Sequence, residues 1–369
     1  MRVAYVVGEF GLWGNRGGYG SIARAVAMGM ARRGHEVFAL VPKRGATAHL
    51  DPRETIHVDG VTVIALPDSY PARLRSRHLY RAPEADLFVN LDARFDSWWA
   101  MRCAPEAKHA VWLLDPMSFD AYWNEHRGDP GQTRLGEKTV TRFAFETLRA
   151  FGRIALRRAD AVWHQPETLP EPVRRTLRLS REVRHLPNPV EVPDVPIHKA
   201  PRPLVLFLGR LDWQKRPERF LELARQRPEI AFVAAGAASD PEHDASLHAA
   251  TRDIPNLTMA GYVAAAEKDQ LLRSAWILCN TSRREGLPHS LQEGLAHGCA
   301  LVARVDPDGI VSRFGIRVHD DDYEGAVSRL LDRDDWQDRG AQGREFIQKQ
   351  HAAEAILDTH EALYRELVS

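Results

Sequence analysis

Leu204-Val-Leu-Phe-Leu-Gly-Arg210-Leu-Asp-Trp-Gln-Lys215-Arg-Pro-Glu-Arg-Phe220-Leu-Glu-Leu-Ala-Arg-Gln226 decides how this chain folds. The unbroken apolar run Leu204–Leu208 is too short for a helix and suits a strand covered on both faces, as in a parallel sheet. Gly209 ends it. Pro217 then opens a helical pattern to Gln226, proline being favoured at a first helical position because the N–H it lacks would be unpaired anyway. Strand, loop and helix within so few residues form the repeating piece of a βαβ unit.

The same alternation extends outward in both directions. Downstream, strands are expected at Ile230–Ala235, Ala275–Asn280 and Ala300–Arg304, with a helix at Ser290–His297 and a last amphipathic helix over 352–367. Upstream, Val3–Val7 reads as a buried strand, followed by a glycine-rich loop, a helix Ser21–Arg33 stopped by Gly34, and a strand Val37–Val41. Further strands are expected at Val61–Leu66, Leu87–Asn90, His109–Leu114 and Ala161–His164, and a long helix across Thr139–Arg158. Between the halves, Leu186-Pro-Asn-Pro-Val-Glu-Val-Pro-Asp-Val-Pro196 is too rich in proline to continue either helix or sheet. The expected fold class is therefore α/β, with two Rossmann-like domains.

The composition narrows the function. The chain has 369 residues, is 44% hydrophobic, and balances 50 Lys and Arg with 50 Asp and Glu, which argues against a dedicated reader of the nucleic-acid backbone. The neutral total hides a partition: residues 1–190 carry 28 basic and 21 acidic side chains, residues 191–369 carry 22 and 29. Cys103, Cys279 and Cys299 are too few and scattered for a disulfide framework or a zinc site, so a reducing cytoplasm is expected. No stretch approaches the roughly 20 apolar residues that span a bilayer, and the short N-terminal apolar run reads as a strand rather than a signal peptide.

Three loops carry candidate chemistry. Gly8-Glu-Phe-Gly-Leu-Trp-Gly-Asn-Arg-Gly17-Gly18-Tyr-Gly20 precedes a helix whose first amides could face an anion or a sugar oxygen, although a plain tight turn also fits. It is no clean GxGxxG, and no acidic residue follows the second strand, so nicotinamide binding is not expected. Gly209-Arg210-Leu…Lys215 sets two cations beside a glycine, which suits a pyrophosphate; a solvated basic cluster fits too. Glu285-Gly-Leu-Pro-His-Ser-Leu-Gln-Glu293 places one carboxylate before an expected helix and one on its first turn, where capping and dipole pairing would also place them.

Together the last two loops resemble the hallmarks of family 4 type glycosyltransferases of the GT-B fold: Gly-Arg-Leu…Lys opening the second domain and Glu-x7-Glu later in it. Gly17-Gly18, Ala159-Asp160-Ala161-Val162, Pro187-Asn188, Gly261-Tyr262-Val263, Asp306–Gly309 and Leu363-Tyr364 extend the resemblance over nearly the whole chain. It implies two Rossmann-like domains facing across a cleft, with the C-terminal helix crossing back. Residues 1–186 with about 352–369 would bind the acceptor, and 187–351 the donor. It further implies a retaining enzyme, a hexosyltransferase, moving sugar from a nucleotide-diphosphate sugar to a glycan, lipid-linked or small-molecule acceptor. Arg210 and Lys215 would bind the pyrophosphate with amides near Ser290 and Leu291. Glu293 would hold the ribose, Glu285 the donor sugar, and Gly209, Tyr262 and Val263 would lie near the nucleotide. Gly17, Gly18 and Asp115 would line the acceptor and donor-sugar side. No cofactor or metal is expected; Asp306-Pro-Asp308 and Asp320-Asp-Asp322 read as helix caps and surface charge.

The sequence departs from the pattern at Gly294, where alanine is usual, at Pro189, where glycine is usual, and at Asp115, in the region where many members carry a sugar-facing histidine. Trp98, Trp99, Trp112 and Trp123 suit either the core or a sugar face. The basic, amphipathic stretch Arg142–Arg158 suits either packing on its sheet or contact with an anionic membrane at its inner face. A phosphorylase on the same fold and a non-catalytic nucleotide-sugar-binding module are the alternative functions.

Overall fold

The computed structural model describes residues 1–10, 13–14, 18–43, 55–126 and 137–369. The chain divides into two compact units, Met1–Pro189 with Glu354–Ser369, and Val190–Ala353. The fold class is α/β, each unit being built on a largely parallel sheet flanked by helices.

In the first unit eight strands lie in the order Arg184–His185, Ala161–His164, Lys108–Leu113, Leu87–Leu91, Arg2–Val6, Glu36–Pro42, Val61–Leu66, Thr55–Val58. The last alone runs antiparallel to its neighbour. The centre of the sheet is apolar on both faces because helices cover both: Val3, Tyr5, Val37, Leu87 and Trp112 pack on one side, Ala4, Leu40 and Phe88 on the other. The C-terminal helix Ala353–Val368 contributes Leu357 and Tyr364 to the first of these clusters. Tyr364 meets the Tyr5 hydroxyl at 3.3 Å and His360 Nδ1 at 2.9 Å. Burial holds His360 down to about 3, so its ring is neutral in the core.

In the second unit six parallel strands follow the order Leu257–Gly261, Ala231–Ala235, Leu204–Leu208, Ile277–Asn280, Ala300–Ala303, Gly315–Arg317. The opening stretch is thus an inner strand, paired on both sides. The helix Pro217–Gln226 buries Phe220, Leu221, Leu223 and Ala224 against the sheet.

Among the described residues six short strands escaped the sequence reading: Thr55–Val58, Arg184–His185, Leu257–Gly261, Gly315–Arg317 and the antiparallel pair Glu9–Phe10 and Trp13–Gly14. Each lies at a sheet edge, and all but Leu257–Gly261 have at most four residues, too few for a periodic signal. The helix Glu137–Arg158 divides along its length. Gly152, Ala155 and Leu156 are buried, and a Cβ at Gly152 would lie 2.2 Å from the Ala93 carbonyl oxygen, so only glycine permits the approach. Its first turns instead expose Val140 and Phe143, 72% and 77% accessible. Among the described residues no helix is long and apolar enough to cross a membrane.

Candidate active site

Three glycines build the floor of the second unit's loops. Gly209 (φ 153°), Gly236 (φ 144°) and Gly261 (φ 64°) each end a strand in a conformation that other residues rarely adopt. Gly209 N–H donates to Ala235 O and Gly236 N–H to Gly261 O, at 3.0 and 2.7 Å. A Cβ at Gly236 would lie 1.8 Å from the Gly209 carbonyl oxygen. Three neighbouring strand ends are thus stacked backbone on backbone. From this floor Tyr262 projects with 60% of its surface exposed, and Val263 packs partly against the core.

After Gly209 the chain turns through a short 3-10 segment, Trp213–Lys215, and Arg216 (φ 51°) switches it into the helix at Pro217. The turn is pinned from two sides. Thr281 Oγ1 donates to the carbonyls of Lys215 and Arg216, and Arg283 N–H donates to Gln214 O. Arg216 forms a two-point pair with Asp321, which also accepts from Arg304. So held, Lys215 Nζ reaches Glu285 Oε1 at 2.5 Å, although 70 positions separate them.

The same oxygen accepts from Ser282 Oγ (2.6 Å) and Asn280 Nδ2 (3.2 Å). Burial pushes the Glu285 carboxyl up, but Lys215, Ser282 and Asn280 outweigh it and hold the group below the usual carboxylate range. Arg210 is half-exposed and paired with Asp212 (2.5 Å), which in turn accepts from Ser239 N–H and Oγ.

The helix His289–Ala296 begins one residue before the expected Ser290. Its N-cap is Pro288, no side chain caps it and its first turn holds no acidic residue, so the positive end of the helix faces the loop uncompensated by side chains. Ser290 is partly buried there. Leu291 is fully buried, and its amide already donates to Pro288 O at 3.0 Å. Glu293 lies one turn in rather than on the first turn, because the helix starts at His289. It pairs with Lys268 of the helix Ala265–Ser274, and His289 Nε2 is 3.7 Å from the same oxygen. Gly294 has a packing cause: a Cβ there would come within 2.7 Å of Leu278 Cδ2.

In the first unit Gly17 lies outside the described residues. Gly18 is exposed and opens the helix Gly18–Arg32. In the first turn of that helix, buried Glu9 accepts from Gly20 N–H at 2.9 Å. Buried Asp92 (φ 64°) accepts from Leu114 N–H (2.9 Å) and from Arg94 (3.1 Å), whose guanidinium lies over the Tyr19 ring. Asp115 is half-buried at the end of the strand Lys108–Leu113, and it and Asp92 both help to raise the Tyr19 hydroxyl, which burial raises most. Trp112 and Trp123 are core residues, Trp112 donating to Leu186 O at 3.0 Å. Trp98 packs on Phe95 and Phe151, and Trp99 donates to Arg73 O.

Lys215 and Glu285 are therefore in contact, whereas Arg210 faces Asp212, and Glu293 has its own partners. Lys268, Asp212, Glu9, Asp92 and Arg94 escaped the sequence reading. Only Glu9 gave a signal, as an acidic residue in a glycine loop before a helix. The acidic runs serve the fold. Asp306 accepts from Val311 N–H, Ser312 N–H and Ser312 Oγ, and Asp322 accepts from Gly325 N–H.

Residues 192–313 match the family Glycosyl transferases group 1. A glycogen synthase of Anaeromyxobacter dehalogenans is 37% identical over 68 residues, which make up 17% of this chain and 14% of that protein. The sucrose-phosphate synthase of Thermosynechococcus elongatus has a similar structure: TM-score 0.76 at 19% identity, covering 99% of this chain and 98% of that one. Anabaena HepE, solved with UDP-glucose, gives a TM-score of 0.70 at 13% identity, with 99% of each chain covered. The segment matching glycosyl transferases group 1 carries Arg210, Lys215, Glu285 and Glu293, in a chain whose fold is that of GT-B glycosyltransferases.

Proposed function

We propose that this protein is a retaining glycosyltransferase that moves a sugar from a nucleoside-diphosphate sugar to an acceptor hydroxyl. The observation that carries the reading is the partly buried Lys215–Glu285 pair, one cation and one carboxylate set just before an uncapped helix end within the matched segment. A diphosphate meets Lys215, half-exposed Arg210 and the positive helix end; sugar hydroxyls meet ionised Glu285, and ribose hydroxyls meet Glu293.

In the reaction the bond from the anomeric carbon to the phosphate oxygen breaks as the acceptor oxygen bonds to the same face. The acceptor proton passes to the departing phosphate oxygen, so no side chain need form a covalent bond. Arg210 and Lys215 offset the charge that grows on the leaving diphosphate, the task a divalent cation performs elsewhere. We assign the acceptor to the first unit, where Asp115, Asp92 and Tyr19 gather at the ends of the strands.

A thermal-shift panel of UDP, GDP, ADP and TDP with their sugars tests the reading, because a ligand that binds only the native state raises its stability. At least one is expected to give a saturating shift. No shift with any of them removes the donor site and the proposal with it.

A further inference from the structure

Glu285 and Glu293 are held alike. Each is mostly buried, and each receives a lysine on its Oε1: Lys215 for the first, Lys268 for the second. The resemblance that singles out Lys215 has no counterpart for Lys268. Lys268 comes from the helix Ala265–Ser274, which begins directly after Gly261-Tyr262-Val263, and it crosses to the helix His289–Ala296. One ion pair thereby ties the loop read as lying near the base to the carboxylate read as holding the ribose.

The groups facing Glu293 are few. On its own helix are His289, with Nε2 3.7 Å from Oε1, and His297, which is drawn instead to Asp269 at 2.9 Å. Asp269 is itself paired with Arg273. From the neighbouring helix comes Lys268. Burial lowers His289 most and Lys268 adds to it, together outweighing Glu293 and Gln292. Both contacts to Glu293 fall on Oε1, and Oε2 has no partner among the described residues.

We propose that Lys268 is a positioning residue for the donor, fixing Glu293 through Oε1 so that Oε2 is presented to the hydroxyls of the bound ribose. The inference rests on reading Glu293 as the ribose carboxylate. Burial alone would push that carboxyl up; His289, Lys268 and His297 outweigh it and hold the group below the usual carboxylate range. A carboxylate free to swing loses most of its discrimination for a ribose.

The test measures binding of UDP, ADP and GDP, and of their 2′,3′-dideoxy counterparts, to the wild type, Lys268→Met, Lys268→Gln and Lys268→Arg between pH 5 and 8. The wild type is expected to bind at least one ribonucleotide and to lose about tenfold or more when the hydroxyls are removed. Lys268→Met and Lys268→Gln are expected to bind that nucleotide about tenfold more weakly and to discriminate by less than about threefold. Lys268→Arg should retain the wild-type pattern throughout. Folded Met or Gln variants with undiminished discrimination at every pH overturn the role of Lys268. If both fail to fold, Lys268→Arg decides, since loss of discrimination in a folded Arg variant also overturns it. A wild type that binds the ribo and dideoxy forms equally, or binds none, fails earlier: the reading of Glu293 or of the donor site falls before Lys268 is at issue.

Discussion

The first strand-to-helix turn of each unit occupies the same place in its sheet, yet the two are built with opposite charge. In the first unit the turn after Arg2–Val6 supplies Glu9, which sits on the amide of Gly20 and satisfies the start of the helix Gly18–Arg32. In the second, the turn after Leu204–Leu208 supplies Arg210 and Lys215, and no side chain caps His289–Ala296, whose first turn holds no acidic residue. A helix N-terminus attracts anions wherever it occurs. Whether a phosphate can use it depends on whether the chain has already placed a carboxylate there. The glycine-rich turn of the first unit, which on its pattern alone suits an anion, places Glu9 on the Gly20 amide, and the polar groups beside it are Asp92, Asp115, Tyr19 and Arg94, the last paired with Asp92. Hydroxyls suit such a lining better than phosphate does.

Removing the cations of the second turn should break the comparison most severely. Lys215→Ala is expected to lower sugar transfer about a hundredfold or more, and Arg210→Ala by a similar factor, the usual loss for one preorganised donor at a developing charge. Full turnover in both variants would unseat them.

Unpinning the turn without touching its cations should cost less. Arg216 and, more weakly, Arg304 and Arg219 hold the Asp321 carboxyl down to about 2. Such a lowered carboxylate stabilises the fold above its unfolded value near 4, and the contribution fades as pH falls through about 2. Asp321→Asn should therefore cost about 2 kcal/mol at pH 7, with the gap from wild type closing between about pH 4 and 2. Denaturant titrations over that range check it, and a gap that persists unchanged at pH 2 assigns the loss to something other than ionisation.

The smallest effect is expected in the first turn. Glu9→Gln keeps the shape and removes the charge from the bond to Gly20, costing about 1 kcal/mol of stability. Transfer should fall less than about tenfold, the group being an internal cap. A hundredfold fall in kcat with stability intact would make Glu9 part of the chemistry and erase the contrast between the turns.

The architecture was legible because its strands are buried on both faces. Runs such as Leu204–Leu208 and Ala300–Ala303 have no polar residues to confuse them, and the proline-dense stretch after Leu186 interrupts every pattern. Single loops were legible too, since glycines with positive φ and clustered charges stand out locally. Contacts between loops were not. Lys215 meets Glu285 because Thr281 and Arg283 dock the 3-10 turn, a consequence of strand order that no local spacing encodes. Lys268 lies in a helix with Glu267, Asp269 and Arg273, where any sequence reading takes it for a solvated charge. Asp92 looks like a turn former, and only the positive φ of its backbone turns it towards the Leu114 amide.

The C-terminal helix also sets an order of assembly. Leu357 and Tyr364 are almost wholly enclosed in the first unit's core, while everything the second unit needs lies between Val190 and Ala353. On the ribosome, where chains fold as they emerge, the stretch made first cannot close its core until residues 354–369 leave the tunnel. The later stretch is complete while its predecessor still waits with an open face.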